Sequence, residues 1–349
     1  MALPSSGQIT LNEVNVELGN SGTAYIEMNS SAVRGLFGIA SGEIEMADGH
    51  GKSNASWFGS RGLEAGGNAS GTYENNIDYI TIASTGNAAD FGDLTVARDR
   101  GGFVTSGSRG VLCAGLSSDA LGSVQSNVMD YITIASTGNA TDFGDKGTGD
   151  YGVSGLSDGS RGVFSRGFNY ASMDYITIAS TGNTTNFGTH TIARRGMAAV
   201  SDGSRGVWVG GQNTNNSYAF NVMDYITIAS TGNAIDFGDC TSRGNKSGVV
   251  GGSRAVFGGG SYYSSYKNRQ TSGIDYITIT SLGNSTTFGS LPSSNYGGNG
   301  CSNDSRGVFA TRGGSNNMFR YVTIASTGNS TDFGTSVTAG YGGSMTSGA

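Results

Sequence analysis

Hydrophobic and polar positions alternate over a five-residue phrase that recurs six times along the chain. The phrase is Asp-Tyr-Ile-Thr-Ile or a close variant, and its copies begin at Asp78, Asp130, Asp174, Asp224, Asp275 and Arg320. Alternating β-branched and aromatic residues predict a short strand that packs on both faces. Ser-Thr-Gly-Asn follows in most copies, and because Gly and Asn tolerate positive φ it predicts a tight hairpin turn. The next phrase, typified by Ala-Thr-Asp-Phe-Gly, predicts a second strand.

A second recurring phrase, Ser-Arg-Gly-Val-Phe or a variant, precedes each of these hairpins and predicts another strand. A Gly-rich stretch such as residues 196–200 comes before it, so each unit contains four short strands. The units repeat every 44–52 residues, which is the size of a propeller blade. We expect the repeated arginines to be structural clamps that donate hydrogen bonds to turn carbonyls of their own blade. They are Arg61, Arg109, Arg161, Arg205, Arg254 and Arg306.

The two ends of the repeat region predict a closed ring. The first unit begins at Ser60-Arg61 without a Gly-rich strand, whereas residues 339–348 supply one such strand after the sixth hairpin. Pairing these ends would shelter the sheet edges that an open array exposes. We therefore predict an all-β fold over residues 56–349, a six-bladed β-propeller closed by the C-terminal strand. The Gly-rich strands should be innermost, because six sheets crowd at the axis.

Strand order predicts one uniform face and one variable face. The short turns between strands one and two, and between strands three and four, share a face with both chain ends. The other connections share the opposite face, and the longest are Gly115–Met129, Gly211–Met223 and Gly260–Ile274. They are rich in Tyr, Ser and Asn, a composition typical of binding loops, although tolerant surface loops are the alternative. The candidate binding residues are Tyr73, Tyr170, Tyr218, Phe220, Tyr262, Tyr263, Tyr266 and Arg269.

Residues 1–55 do not match the blades and predict a small α+β module. Three weak copies, beginning at Ile9, Ile26 and Ile44, indicate short strands that end in helix-capping residues. Two short helices are expected, over residues 12–18 and 31–37. A module this small has little core of its own, so we expect it to pack on a partner or on copies of itself.

Composition and charge limit the classes of partner and of reactive site that the chain can have. The net charge is −6 and charged residues make up 13% of the chain, which disfavours nucleic acid and anionic membranes as partners. No apolar run approaches the length of a membrane span, and the three cysteines predict free thiols. The carboxylates that recur at one blade position suggest turn hydrogen bonds, with calcium ligation as the alternative. They are Asp90, Asp142, Asp236 and Asp332. We expect no catalytic site, metal or cofactor.

Two resemblances add to this interpretation. The order of residues 193–225, from Ala-Arg through Gly-Gly to Asp-Tyr, resembles the kelch repeat, although the late Trp of that repeat is replaced by Phe. Residues 1–19 resemble the leader of tailed-bacteriophage structural proteins, and residues 31–34 and 51–53 also fit it. The Asp-Tyr-Ile-Thr-Ile-Ala-Ser-Thr-Gly-Asn phrase is similar to repeats in virion proteins of marine phages. These phage resemblances imply a virion component, made in the host cytoplasm and located in the tail.

The leading hypothesis is a non-enzymatic tail fibre or receptor-binding protein. Its N-terminal module would anchor it to other virion tail proteins, and its variable face would contact a host-surface glycan or protein. A homo-oligomer is expected, since virion assemblies are usually symmetric. The alternatives are a structural adaptor or decoration protein without receptor contact, and a glycan-cleaving enzyme, for which the sequence assembles no site.

Overall fold

The structure is a computed structural model of the 349-residue chain. It describes residues 59–348 except 168–169, 214–217, 242, 265–266, 296–297, 314–315 and 338–340. Seven residues of the N-terminal region are described in addition: Thr10, Leu11, Glu13, Val14, Met28, Val33 and Glu45. The chain divides into two compact units, Met1–Ser56 and Trp57–Ala349.

In the N-terminal unit, a capping box marks the start of a helix. The Thr10 hydroxyl accepts from the Glu13 amide at 3.2 Å, and the Glu13 carboxylate accepts from the Thr10 amide at 2.7 Å. The Thr10 hydroxyl also donates to the Glu13 carboxylate at 2.8 Å, and this bond and that from the Thr10 amide lower the pKa of the Glu13 carboxyl. The predicted strand over Ile9-Thr10-Leu11 is therefore wrong at Thr10 and Leu11, because Thr10 is the cap and Leu11 is already helical. Most of the two predicted helices, including Asn12, lies outside the described residues.

The second unit consists of six small antiparallel sheets, or blades, of the predicted strand order. The innermost strands, from blade 1 to blade 6, are β25 (Ser344–Gly348), β4 (Gly102–Thr105), β8 (Gly155–Ser157), β12 (Ala198–Ser201), β16 (Ser247–Gly251) and β21 (Gly300–Ser302). The second strands are β1 (Arg61–Ala69), β5 (Arg109–Asp119), β9 (Arg161–Ser165), β13 (Arg205–Val209), β17 (Arg254–Gly258) and β22 (Arg306–Gly313). The third strands are β2 (Thr72–Thr81), β6 (Gly122–Thr133), β10 (Ser172–Thr177), β14 (Val222–Thr227), β19 (Lys267–Thr278) and β23 (Asn316–Thr323). The outermost strands are β3 (Ala89–Asp93), β7 (Thr141–Asp145), β11 (Thr185–Thr189), β15 (Ile235–Asp239), β20 (Thr286–Asn295) and β24 (Thr331–Thr335), and blade 5 adds β18 (Ser261–Ser264).

The ring closes as predicted, because β25 is the innermost strand of blade 1. It pairs antiparallel with β1, with Arg61 opposite Gly348 and Ala65 opposite Ser344. Ser60 and Gly348 therefore lie on the face that carries the strand one–two and strand three–four connections. We call this the tight-turn face, and the opposite one, with the strand two–three connections and the interblade linkers, the hairpin face.

The hydrophobic core lies between the blades. Six buried clusters fill the six interblade seams, each drawing side chains from two neighbouring blades. At the closing seam, Ile80 and Ile82 of blade 1 pack with Phe319 and Phe333 of blade 6. The third strand uses both faces, because Ile80 faces blade 6 while Tyr79 packs towards blade 2. Closure thus buries a seam that an open array would leave in water.

The Ser-Thr-Gly-Asn segment is not the tight turn that its composition predicts. In blade 2 the turn lies over residues 134–136, and Thr137 to Ala140 run extended along strand β3 of blade 1. The Gly138 amide donates to the Phe91 carbonyl at 2.8 Å, and the Asn139 side chain accepts from the Asp93 amide at 3.0 Å. Such an Asn contact recurs at all six seams, so the segment joins neighbouring blades.

The six repeated arginines also join neighbouring blades, which corrects the prediction that each clamps a turn of its own blade. Arg161 of blade 3 donates to the Ile228 carbonyl of blade 4 at 2.9 Å. Its guanidinium lies 4.6 Å from the ring centre of Tyr175 in its own blade. Arg61, Arg109, Arg205, Arg254 and Arg306 make the same two contacts. Arg306 of blade 6 donates to the Ile82 carbonyl of blade 1, so the closing seam has the same hydrogen bond as the other five.

Candidate functional site

The hairpin face varies from blade to blade, but much of it is β-hairpin where the sequence predicted loops. The predicted loop Gly115–Met129 is an extension of β5 and β6, which stay paired up to Asp119 and Gly122. In blade 5, β18 and β19 pair from Ser261–Gln270 to Ser264–Lys267. In the described part of the blade 4 connection, isolated bridges join Arg195 with Gln212 and Gln212 with Ala219. Strand pairing in these hairpins satisfies their backbone N–H and C=O groups with one another.

The predicted binding residues that the structure describes lie on this face, on blades 1, 3, 4 and 5. Tyr170 is 49% exposed and lies under the guanidinium of Arg166, 3.9 Å from the ring centre. Tyr218 is 60% exposed and meets Phe220 edge to face, with ring centres 5.2 Å apart. Tyr73 links blades 1 and 2 through a 2.9 Å hydrogen bond between its hydroxyl and that of Ser123.

The remaining candidates belong to blade 5. Tyr262 is 39% exposed on β18, and it pairs with Arg269, which is also exposed. The backbone of Tyr263 pairs with that of Asn268. Tyr266 lies outside the described residues. The candidates are therefore distributed around the face, and a ligand that touches all of them would have to be large.

A ring of residues with left-handed backbone conformation surrounds the axis on the hairpin face. Each lies in the linker that leads into an inner strand, shortly before that strand begins. Its members are Arg100 (φ 55°), Gly152 (71°), Gly196 (62°), Asn245 (53°) and Gly342 (77°). Backbone hydrogen bonds connect them in order, from the Arg100 amide to the Gly342 carbonyl at 2.7 Å and from the Asn245 amide to the Gly196 carbonyl at 2.7 Å. Gly and Asn are the residues that adopt this conformation readily, so Arg100 is the exception.

Arg100 lies between two tyrosines that the sequence analysis missed. Its guanidinium is 5.9 Å from the ring centre of Tyr151 and 5.6 Å from that of Tyr341. Arg195 donates to the Tyr151 hydroxyl at 2.5 Å. The side chain of Arg100 is 38% exposed and Tyr341 is 40% exposed, so this group, the mouth cluster, faces solvent. Aligning the blades one residue at a time would have revealed it, because Arg100 aligns with Gly in three blades.

A buried carboxylate lies behind the mouth cluster. One oxygen of Asp99 is 3.3 Å from Nε of Arg100, and the Asp99 side chain has no exposed surface. Burial raises the pKa of Asp99 to about 6, and the positive charge of Arg100 opposes the rise. The single contact at Nε leaves Nη1 and Nη2 of Arg100 without a hydrogen bond to the described part of the chain.

Buried ion pairs hold the linkers that carry this face. Arg194 grips Asp224 with two bonds of 3.1 and 2.6 Å, and both side chains are fully buried. Burial by itself would raise the pKa of Asp224, but the hydrogen bond from His190 and the charge of Arg194 lower it well below its usual range. Arg98 with Asp130 and Arg243 with Asp275 repeat the arrangement. These pairs fix the linkers, because an unpaired buried charge is costly.

Blades 3, 1 and 6 depart from this pattern. In blade 3 the Arg position is taken by Asp150, and Lys146 supplies the charge to Asp174 at 3.1 Å. In blade 1, Asp78 lies opposite the buried Glu64, and both have further interaction partners. In blade 6, Arg320 replaces the acid and pairs with Asp332. Asp332, one of the four carboxylates that recur at one blade position, therefore forms an ion pair.

Other potentially reactive groups are enclosed. Cys113, Cys240 and Cys301 are free and buried, and burial raises the pKa of the Cys113 thiol to about 12. Burial lowers the pKa of His190, which lies edge-on to Trp208 with ring centres 4.7 Å apart. Among the described residues, no group of three or more His, Cys, Asp or Glu side chains could hold a metal ion. Within the same residues, no helix is long and apolar enough to cross a bilayer.

The axis itself holds a narrow cavity of about 100 Å³ between the six inner strands. Side-chain hydroxyl groups form one layer of its wall, and two of them donate hydrogen bonds to carbonyls of the neighbouring inner strand. The Ser157 hydroxyl donates to the Thr105 carbonyl at 2.8 Å, and that of Ser201 donates to the Ser157 carbonyl at 2.7 Å. Because these donors are already used, the cavity is better suited to a few water molecules than to a large ligand.

Comparison with known proteins supports the fold alone. No protein-family model and no curated protein matches the chain. Among solved structures, that of YjhT aligns with a TM-score of 0.59 at 9% sequence identity. The alignment covers 76% of this chain and 93% of YjhT. At that identity, the similarity concerns the fold alone.

Proposed function

We propose that this protein is a non-enzymatic component of a tailed-bacteriophage virion whose hairpin face attaches to the host cell surface. The observation that carries the proposal is the contrast between the two faces. The six seams of the tight-turn face repeat the same Asn contact and the same Arg clamp. The hairpin face differs in every blade and exposes aromatic rings, which supports a binding role.

Exposed tyrosines are the main chemical support for attachment. Tyr170, Tyr218 and Tyr262 are between 39% and 60% exposed, whereas the phenylalanines of the interblade seams are buried. Rings held by a neighbouring group, as Tyr170 is by Arg166, lose little conformational entropy on binding. Such rings stack on sugar faces or on protein side chains.

A second candidate function, a structural adaptor of the virion, is favoured by a different observation. Ile235 and Leu282 are 60% and 57% exposed on the tight-turn face, one on each side of the seam between blades 4 and 5. The Gly283 amide donates to the Phe237 carbonyl at 3.0 Å, which joins the two segments that carry these side chains. Other blades have Thr or Ala at these two positions, so the fold does not require apolar residues there.

The two functions are separated by paired variants of the full chain. Labelled protein is incubated with a panel of marine bacterial cells, and bound label is measured. The triple variant Tyr170→Ala, Tyr218→Ala and Tyr262→Ala should lose cell binding, whereas Ile235→Thr with Leu282→Thr should keep it. Loss of binding in the second variant only would move the cell contact to the tight-turn face and contradict the proposal. Failure of wild-type protein to bind any cell would favour the adaptor. The N-terminal unit is proposed to anchor the chain to other tail proteins as a homo-oligomer, and its removal should abolish incorporation into particles.

A further inference from the structure

We infer that the mouth cluster, formed by Arg100, Tyr151, Tyr341 and Arg195, is an anion subsite that binds a sugar residue bearing a carboxylate or phosphate group. The inference deepens the proposed attachment function and rests on it for the choice of a sugar. The mouth cluster lies on the axis side of the hairpin face, where the linkers into blades 1, 2, 3 and 4 meet.

The backbone of Arg100 is the first observation. Of the five described positions in the left-handed ring, four are Gly or Asn, and only Arg100 carries a long side chain at a φ of 55°. A left-handed conformation is unfavourable for such a residue, and strain of this kind is concentrated at functional sites. The fold does not require an arginine here, because Gly152, Gly196 and Gly342 make the same ring with hydrogen-bond geometry of the same kind.

The surroundings of the guanidinium are the second observation. The tyrosine rings at 5.9 and 5.6 Å restrict the side chain of Arg100 without using its terminal donors. Asp99 contacts only Nε, at 3.3 Å. Nη1 and Nη2 therefore remain available as a planar pair of donors, which is the geometry that recognises a carboxylate or phosphate group by two parallel hydrogen bonds.

The neighbouring aromatic surface selects a sugar over a free ion. Tyr341 is 40% exposed beside Arg100, and its ring can lie against the apolar face of a pyranose. Arg195 is 8% exposed and donates to the Tyr151 hydroxyl at 2.5 Å. This hydrogen bond fixes the position of the Tyr151 ring before a ligand binds. A positively charged mouth on a protein of net charge −6 also gives a local preference for anions that the whole surface lacks.

The test is calorimetric titration of the full chain with glucuronate, glucose 6-phosphate and glucose, at low ionic strength because salt screens exposed charges. Wild-type protein should bind one or both anionic sugars and not glucose, and the preferred one identifies the group. Arg100→Gly should weaken that binding by at least about tenfold, because a bidentate charged contact is lost. Arg100→Lys should fall between them, since an ammonium group lacks the planar fork.

Arg100→Gly is a favourable variant for this test, because Gly is the residue that the other blades use at this position. Its melting temperature should stay close to that of the wild type, because relief of the left-handed backbone offsets the lost contacts with Asp99 and the two tyrosines. A folded variant that fails to bind has then lost the subsite and not the fold. The control is Leu121→Ala, which removes a 97% exposed side chain from the blade 2 hairpin of the same face and should leave binding unchanged. Equal affinity of wild type and Arg100→Gly, or failure of both anionic sugars to bind, would overturn the inference.

The cell-binding assay distinguishes this result from the proposed function. If wild-type protein binds cells and Arg100→Gly binds them equally well, attachment stands and the anion subsite is wrong. If wild-type protein binds no cell but binds glucuronate through Arg100, the subsite stands and the attachment function is wrong. If Arg100→Gly loses both kinds of binding, both proposals are supported.

Discussion

The interblade arginine clamp leads to a quantitative stability prediction. We expect Arg161→Ala to lower the free energy of unfolding, because it removes contacts to two blades at once. The guanidinium donates to the Ile228 carbonyl of blade 4 at 2.9 Å and lies 4.6 Å from the ring centre of Tyr175 in blade 3. The side chain is half-buried, so neither contact is fully screened by solvent.

The magnitude follows from these two contacts. A hydrogen bond from a charged donor contributes roughly 1.5–3 kcal/mol, and partial exposure places this one at the lower end. A cation–π contact contributes about 0.5–1 kcal/mol at an exposed site. Together they predict a loss of about 2 kcal/mol. For a propeller of about 290 residues, with an unfolding entropy of about 2.1 cal/mol/K per residue, that loss corresponds to a fall of roughly 3 °C in melting temperature.

The assay is differential scanning calorimetry of the full chain, with urea denaturation as the second measurement. Arg161→Lys should recover only part of the loss, because the ammonium group keeps the charge but lacks the planar surface. Arg269→Ala, an exposed arginine on the opposite face, should change stability by less than about 0.5 kcal/mol. Cell binding by Arg161→Ala should be unchanged below its melting temperature.

The repeat supplies a stricter test of the same reasoning. Arg306 makes the equivalent contacts, but its acceptors Ile82 and Ala83 lie across the closing seam. In a closed ring, every seam is equivalent, so Arg306→Ala and Arg161→Ala should lower stability by similar amounts. Wild-type stability in both variants would refute the clamp. Wild-type stability in Arg306→Ala alone would refute closure as the reason for the equivalence.

Three further predictions concern buried positions. Gly188→Ala should lower the free energy of unfolding by roughly 1–3 kcal/mol in urea denaturation, because its Cβ would lie 2.0 Å from the Gly232 carbonyl oxygen across a seam; a neutral result would mean that the blades can separate. Asp224→Ala should cost about 3–5 kcal/mol by leaving Arg194 buried without a counter-charge, and adding Arg194→Met should restore much of it; no rescue in the double variant would contradict the pairing argument. Asp99→Asn should stabilise the protein above pH 6 by up to roughly 3 kcal/mol and have no effect below pH 4, because burial raises the folded-state pKa to about 6 from 3.8 and the charged form therefore loses stability as the pH rises. A stability difference that does not depend on pH, measured by thermal melts between pH 4 and pH 8, would count against that pKa.

Much of the propeller could be predicted because the same local pattern occurs in all six repeats. Alternation in Asp-Tyr-Ile-Thr-Ile fixes a strand with two packing faces, and the spare Gly-rich strand at the end implies closure onto Arg61. The turn prediction failed for a physical reason. Gly138 and Asn139 have the composition of a tight turn, but hydrogen bonds from the neighbouring blade hold the segment extended.

The candidate site was predictable only in outline. Composition placed exposed tyrosines such as Tyr170 and Tyr218 on one face, and they lie there. Composition could not indicate Arg100 or Tyr341, because each stands alone in its linker and is separated from the other by 241 positions of sequence. Only the ring brings them within 5.6 Å, as the linkers of blades 1 and 2 meet at the axis.

The sequence by itself determined the strands, their order in each blade and the number of blades, because these depend on local alternation and on counting repeats. The tertiary structure decided which blade each clamp contacts and which residues surround the axis. The reason is that hydrogen-bond partners such as Arg61 and the Ile134 carbonyl belong to different repeats. An identical pattern in every repeat cannot indicate whether a contact is made within one blade or to the next, and only the packed ring does so.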